Sequence, residues 1–272
     1  MLDNLIEGIK LINDNNMDCK NRILLSCGTE KASIYTDRSS IPYCSEAIVP
    51  RLPWREPTAA EQQILLSRKF NNVSDFYIKI ISIPYDILYY FNAIRILQNS
   101  TILEEELKKV RYKKGINLME KYLETFRLHN ASFTKYGIGC NHPKQRTVTI
   151  GVDNCRVGLH IDNPLNSSLY RILVNIGSEA RYFLFINLSI YQLYNWILKI
   201  DSNGVNRTSG SSRIAQLFMG LYPNYPVVKL RVNPGEAYIA PTEHIAHDGC
   251  TEDSNCLDIF FTMRTIFNDY HL

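Results

Sequence analysis

Two short segments of the chain concentrate residue types that bind metals. The first is Gly158-Leu159-His160-Ile161-Asp162-Asn163-Pro164. On a β-strand, residues i and i+2 point to one face. His160 and Asp162 can therefore reach a single ion while Leu159 and Ile161 enter the packing layer behind them. An imidazole and a carboxylate, completed by a second imidazole, make the facial triad that leaves coordination positions open on a ferrous ion. The plain structural alternative is a surface histidine at a strand end, with Asp162 starting a turn before Pro164.

The second segment follows a turn at Asn233-Pro234-Gly235 and a short apolar strand. Thr242-Glu243-His244-Ile245-Ala246-His247-Asp248-Gly249 then supplies two histidines three residues apart. One of them completes the triad and the other is a loop histidine. His247 is preferred, because the Asp248-Gly249 turn signal would aim it back toward the first pair; His244 is the alternative. A third feature lies in Leu257-Asp258-Ile259-Phe260-Phe261-Thr262-Met263-Arg264. Strict alternation puts Asp258, Phe260, Thr262 and Arg264 on one face. A guanidinium on an apolar strand face is costly unless paired, and its planar fork suits a carboxylate. Thr262 can add a hydroxyl to that carboxylate. The alternative is an exposed arginine at a strand end.

These residues need a β framework. From Ala131 onward the chain reads as short strands between turns: 132–137, 146–152, 158–161, 170–176, 181–187, 227–232, 237–240 and 257–265. One stretch, 189–222, interrupts them with helices expected over 191–199 and 211–220 and a polar turn over 201–210. Residues 1–130 are expected to be mainly helical support. Residues 1–20 have helix-like apolar spacing, Thr58 and Glu61 form a capping box for a helix reaching about Lys69, and Pro84 divides a strand from a helix starting at Tyr85. A long helix spans 101–127, capped by Thr101 with Glu104 and broken near Gly115. Residues 21–57 are turn-rich, with a strand candidate at 33–35, and read as an arm or lid. The fold class is α+β: one domain, 1–272, with an eight-stranded jelly-roll, cupin-like core, a helical N-terminal half and a helical insertion.

His-x-Asp, a distal histidine and an arginine beyond it, in that order and on strands, resemble the Fe(II)/2-oxoglutarate-dependent oxygenase superfamily over about 146–265. The resemblance implies a double-stranded β-helix core, Fe(II) held by His160, Asp162 and His247, and 2-oxoglutarate and O2 as cosubstrates. It implies that Arg264, assisted by Thr262, binds the distal carboxylate of 2-oxoglutarate. A polar residue on the strand after His-x-Asp assists in several subfamilies; Arg171 and Asn175 share one parity there. The family couples decarboxylation of 2-oxoglutarate to oxidation of a substrate C–H bond. Its halogenases replace the carboxylate ligand with a small residue, so Asp162 points to oxygen chemistry. The expected substrate is a small metabolite such as an amino acid or a natural-product intermediate. Its pocket would draw on Tyr191, Tyr194, Trp196, Arg213, the arm around Pro50–Trp54 and Arg156 or Arg181. Two other readings compete: a metal cupin isomerase or hydrolase that needs no 2-oxoglutarate, and a β-sandwich binding module without metal.

Composition limits the remaining classes. The 272 residues are 45% hydrophobic and 21% charged, with a net charge of +3, values of an ordinary globular chain. The basic run Lys108–Lys114 follows Glu104, Glu105 and Glu106 and reads as a solvated helix face rather than a nucleic-acid surface. Seven cysteines, odd in number and without a CxxC pair, argue against a disulfide framework or a structural zinc site. They suggest free thiols in a reducing compartment. The first twenty residues carry four acidic side chains and do not read as a secretory signal. No apolar run approaches the roughly 20 residues of a membrane span. A cytoplasmic protein with no membrane partner is the expectation.

Overall fold

The computed structural model describes residues 2–13, 18–33, 41–68, 76–126, 135–162, 169–200 and 210–266. In chain order its elements are β1 (Lys10–Ile12), β2 (Ile23–Leu25), β3 (Thr29–Lys31), β4 (Tyr43–Pro50), α1 (Ala59–Leu65), β5 (Leu66–Ser67), β6 (Tyr77–Ser82), α2 (Tyr85–Leu88), α3 (Ser100–Leu107) and α4 (Val110–Glu124). There follow β7 (Lys135–Asn141), β8 (Arg156–Gly158), β9 (Leu169–Asn175), β10 (Arg181–Ser189), α5 (Ile190–Leu198), α6 (Ser211–Leu221), β11 (Val228–Val232), β12 (Glu236–Ala240), β13 (Ile245–Cys250) and β14 (Asp258–Ile266).

Three sheets result. The large one runs β5-β1-β6-β12-β9-β14-β7, the second β13-β10-β11-β2, and a small one β3-β4-β8. The large sheet is covered on both faces, and strand alternation decides which residue goes where. Ile172, Val174, Ala237, Ile239, Ile259, Phe261 and Met263 pack against Leu103, Tyr112, Met119 and Leu123 of the helices. Their neighbours Leu173, Tyr238 and Ala240 face the second sheet, meeting Phe183, Phe185, Val228 and Leu230. Tyr238 stacks on Phe183 with ring centroids 4.2 Å apart, a contact worth about 0.5–1.5 kcal/mol beyond area burial. Helices α5 and α6 close the assembly through Leu193, Ile197, Ile214 and Phe218.

Several elements match the sequence reading in place. The capping box of Thr58 and Glu61 forms, although α1 stops at Leu65 and continues as β5. The strand before Pro84 and the helix from Tyr85 both form. Other expectations are corrected. Residues 1–20 contribute β1 and a 3-10 turn, Lys20–Arg22, with no α-helix among those described. The N-terminal half is therefore mixed: it supplies six strands, and the expected arm carries β2, β3 and β4. The long helix is two, α3 capped by Asn99 rather than Thr101, with the break at Lys108–Lys109. Gly115 lies inside α4, where a Cβ would meet Tyr90 at 2.6 Å; it serves close packing, not a break. No strand forms over 146–152 beyond a bridge at Ile150. Of the candidate strand 33–35 only Ser33 is described, and the polar turn over 201–209 lies outside the described residues.

A disulfide joins Cys44 on β4 to Cys155, the residue before β8, contrary to the expectation of free thiols throughout. Cys19, Cys27, Cys140, Cys250 and Cys256 are not joined in disulfides. No described helix is long and apolar enough to cross a membrane.

Candidate metal centre

The chain arrives at His160 through a forced bend. Gly158 has φ +70°, and a Cβ there would collide with the backbone of Ile48 on β4, so only glycine passes without strain. Leu159 then donates to the Ile48 carbonyl at 2.8 Å. His160 and His247 exchange backbone bonds, His160 N–H to the His247 carbonyl at 3.1 Å and His247 N–H to the His160 carbonyl at 2.8 Å. Directly opposed residues of an antiparallel pair present their side chains on one face, and the two rings lie 4.9 Å apart. Asp162, two residues on, shares that face, and its N–H donates to the Thr242 carbonyl at 3.2 Å.

His247 thus sits inside β13, not before a turn: Asp248 and Gly249 continue the strand and pair with Leu184 and Phe183. The turn expected at Asp248-Gly249 does not form, and strand pairing rather than a turn aims His247 at His160. His244 goes elsewhere; it is buried and stacked on Phe76 at 4.2 Å.

His160, Asp162 and His247 each offer one ligand atom, and these atoms lie within 4.8 Å of one another. His160 Nε2 is 3.7 Å from Asp162 Oδ1, and His247 Nε2 is 3.8 Å from Asp162 Oδ2. Both Nδ1 atoms face carbonyls two residues back, Gly158 at 2.9 Å and Ile245 at 3.1 Å. A carbonyl only accepts, so both Nδ1 atoms must carry hydrogen. Both Nε2 lone pairs are left to converge on the carboxylate. Two imidazole nitrogens and a carboxylate oxygen on one side of a common point suit a divalent transition metal.

The electrostatics favour an ionised carboxylate. Burial raises the Asp162 pKa, but the surrounding His160, His247, Arg171 and Arg264 outweigh it and hold the carboxyl far below the usual range. Burial lowers the pKa of His247 to about 3, with His160 and Arg171 adding to the effect against the pull of Asp162. Burial also works against a charged His160, but Asp162 and Asp248 overcome it and the net shift is upward.

The remaining sequence-predicted residues separate. Arg264 and Arg171 are cross-strand partners on β14 and β9. Both reach Asp162 Oδ2, Arg264 Nη2 at 2.7 Å and Arg171 Nη2 at 3.0 Å. Thr262 shares the Arg264 face and donates to the Ile172 carbonyl at 3.3 Å. Asn175 is spent on backbone: its amide nitrogen donates to the carbonyls of Glu179 and Val232, and its oxygen accepts from Gly177 N–H. Several expected pocket residues are likewise engaged within the fold. Arg156 is buried over the Tyr43 ring at 3.9 Å, Arg181 pairs with Asp258 at 3.2 Å, and Trp54 donates to Glu252. Trp196 packs edge-on to Tyr222. Tyr191 is exposed, and Arg213 lines an open cavity of about 360 Å³ between α6 and β3–β4.

Sequence reasoning missed Asp248 as anything but a turn residue. It is fully buried, with Oδ2 3.9 Å from His160 Nδ1. The signal available was an acidic residue directly beside a candidate ligand on an otherwise apolar strand.

No family model matches the chain, and no curated protein does. Among solved structures, it is similar to the Kdo hydroxylase KdoO, a non-heme Fe(II) alphaketoglutarate dependent dioxygenase in complex with succinate and Fe(III). The identity is 12% and the TM-score 0.36, over 72% of this chain and 81% of that one. It is also similar to the iron and alpha-ketoglutarate-dependent endoperoxidase NvfI, with 8% identity and a TM-score of 0.31, over 91% of this chain and 97% of that one.

Proposed function

We propose that the chain is a single-domain Fe(II)- and 2-oxoglutarate-dependent oxygenase that oxidises an unactivated C–H bond of a small metabolite. The observation that carries the reading is the convergence of His160 Nε2, His247 Nε2 and the Asp162 carboxylate, with both imidazole tautomers held by Nδ1 donation to backbone carbonyls.

Topology supports the same reading. Strands β7 to β14 fall into two runs, β7-β14-β9-β12 and β8-β13-β10-β11, if the His160–His247 bridge is counted as the continuation of β8. Successive strands alternate between the runs except at β10 and β11, which pair with each other where the chain turns back; this is the strand order of a double-stranded β-helix, and the ligands lie on adjacent strands of the second run.

His160, Asp162 and His247 would hold Fe(II), whose chemistry with 2-oxoglutarate and O2 is C–H oxidation coupled to release of succinate and CO2. This chain's residues supply the surroundings. Arg264 and Arg171 neutralise Asp162 while no metal is bound and are placed to hold a cosubstrate carboxylate once the carboxyl group turns to the metal. Tyr238, Phe183 and Phe185 pack beneath the site and exclude water from its floor. The carboxylate at position 162 occupies the place that a halide would need, which favours oxygenation over halogenation.

The test is anaerobic addition of Fe(II) and then 2-oxoglutarate to the full chain. A visible charge-transfer band that needs both, followed by succinate formation on admitting O2, is the expected result. Metal binding without any 2-oxoglutarate-dependent band would favour the metal isomerase or hydrolase reading instead. Arg264→Leu should raise the KM for 2-oxoglutarate by about 10- to 100-fold, in proportion to a lost charge-assisted bond of roughly 1.5–3 kcal/mol.

A further inference from the structure

The group with the least obvious employment is Asp248. Its side chain is fully buried. Oδ1 alone accepts four bonds: from Val148 N–H at 3.3 Å, Thr149 N–H at 3.1 Å, Thr149 Oγ1–H at 2.8 Å and Gly249 N–H at 2.7 Å. Oδ2 has no hydrogen-bond partner among the described residues. Pinning 148–149 to β13 would be served as well by an asparagine carbonyl. A buried carboxylate oxygen left bare is costly, and a native exception of this kind calls for an explanation.

The polar group that Oδ2 faces is His160 Nδ1, at 3.9 Å. We propose that Asp248 is an outer-sphere positioning residue of the metal centre, its Oδ2 standing 3.9 Å behind the Nδ1–H that His160 donates to the Gly158 carbonyl and favouring that tautomer through space. The inference rests on the reading of His160 as a ligand. It gives the two ligand histidines different supports. His247 has the Ile245 carbonyl, whereas His160 has the Gly158 carbonyl and a carboxylate behind it. A carboxylate behind a ligating imidazole fixes ring orientation and tautomer and makes Nε2 a stronger donor.

Asp248→Asn separates this role from pinning. Its carbonyl oxygen can keep the four donors, which orients the amide nitrogen into the Oδ2 position. Two donors then face each other across the His160 Nδ1 gap. Co(II) titration of the metal-free full chain, followed by visible absorption, is expected to show affinity about 10- to 100-fold below that of the unchanged protein. Thr149→Val removes one Oδ1 donor and leaves Oδ2 in place, and its affinity is expected to stay within about twofold. Nitrogen-15 NMR of the metal-free protein at alkaline pH, where His160 is neutral, reads the tautomer without any substitution; hydrogen on Nδ1 is expected.

The proposal is overturned if Asp248→Asn binds Co(II) as the unchanged protein does, if Thr149→Val loses as much, or if His160 carries its hydrogen on Nε2. The first two outcomes leave the metal-centre reading standing. Absence of Co(II) binding by the unchanged protein removes both.

Discussion

At one end of the sandwich interior Asp162 faces two guanidiniums and two imidazoles; at the other, Asp258 faces Arg181 and Asn141. The two aspartates are served by the same strand, since Arg264 and Asp258 lie six residues apart on β14, roughly 20 Å. Both ends bury charge, but differently. Arg181 and Asp258 side chains are 3% and 2% exposed, whereas His160, Asp162 and the two arginines around them keep 11–22%. At the far end Asn175 gives all its bonds to backbone. At the metal end two Nε2 lone pairs point at a carboxylate and, while neutral, can only accept. Buried charge with its partners inside the protein holds the sandwich together. Lone pairs that converge without a donor, within reach of solvent, mark the place where something else binds.

Substitutions at the two ends should therefore fail in different assays. The largest effect is expected for Asp162→Ala. Loss of one ligand and of the only negative charge in the triad should weaken Co(II) or Fe(II) binding well beyond the about 10- to 100-fold that outer-sphere changes produce. Metal titration of the full chain measures it. If Asp162→Ala bound metal normally, the distinction between the two ends would disappear.

Asp258→Ala comes next and should act on stability. It leaves Arg181 buried without a counter-charge, a loss of about 3–5 kcal/mol. Asn141, 2.8 Å from the same carboxylate, also loses its acceptor. Urea unfolding reads the change, and metal affinity of the folded fraction should stay within about twofold. A large loss of metal affinity without a shift in the unfolding midpoint would show that the far end belongs to the site.

The shared face of His160 and Asp162 was legible in the sequence, because alternation on a strand is a local property that holds whatever the rest of the chain does. The same alternation placed Thr262 and Arg264 correctly relative to each other. It could not reveal what lay across from them. That His247 meets His160 depends on pairing across more than eighty residues, and that Arg171 stands beside Arg264 depends on the register of β9 against β14. The turn signal Asp248-Gly249 misled because tertiary pairing overrode it. Asp248 is drawn into β13 by four donors, and Gly249 is small because a Cβ there would press on Val148 at 2.8 Å and Arg181 at 3.0 Å. The N-terminal strands were hidden for a related reason: β1, β2, β3 and β5 are two or three residues long, too short for a period of two to stand out, and they exist only as additions to sheets formed elsewhere.

Asn175 gives the smallest expected effect and the finest division between the ends. By parity it shares a face with Arg171, and the family pattern would allow it to touch a cosubstrate. Four residues further from the metal level, however, it bonds to Gly177, Glu179 and Val232 and so fixes the β9–β10 connection against β11. Asn175→Ala should cost about 1–3 kcal/mol, the penalty for backbone groups left unsatisfied in the interior, and leave the KM for 2-oxoglutarate unchanged. Arg264→Leu should do the opposite, raising that KM with little change in the urea midpoint, since Arg264 is partly exposed and its ion pair is screened. A raised KM in Asn175→Ala would move the boundary of the site four residues down β9, and the cosubstrate carboxylate would then have to reach between Arg171 and Asn175 rather than between the two arginines.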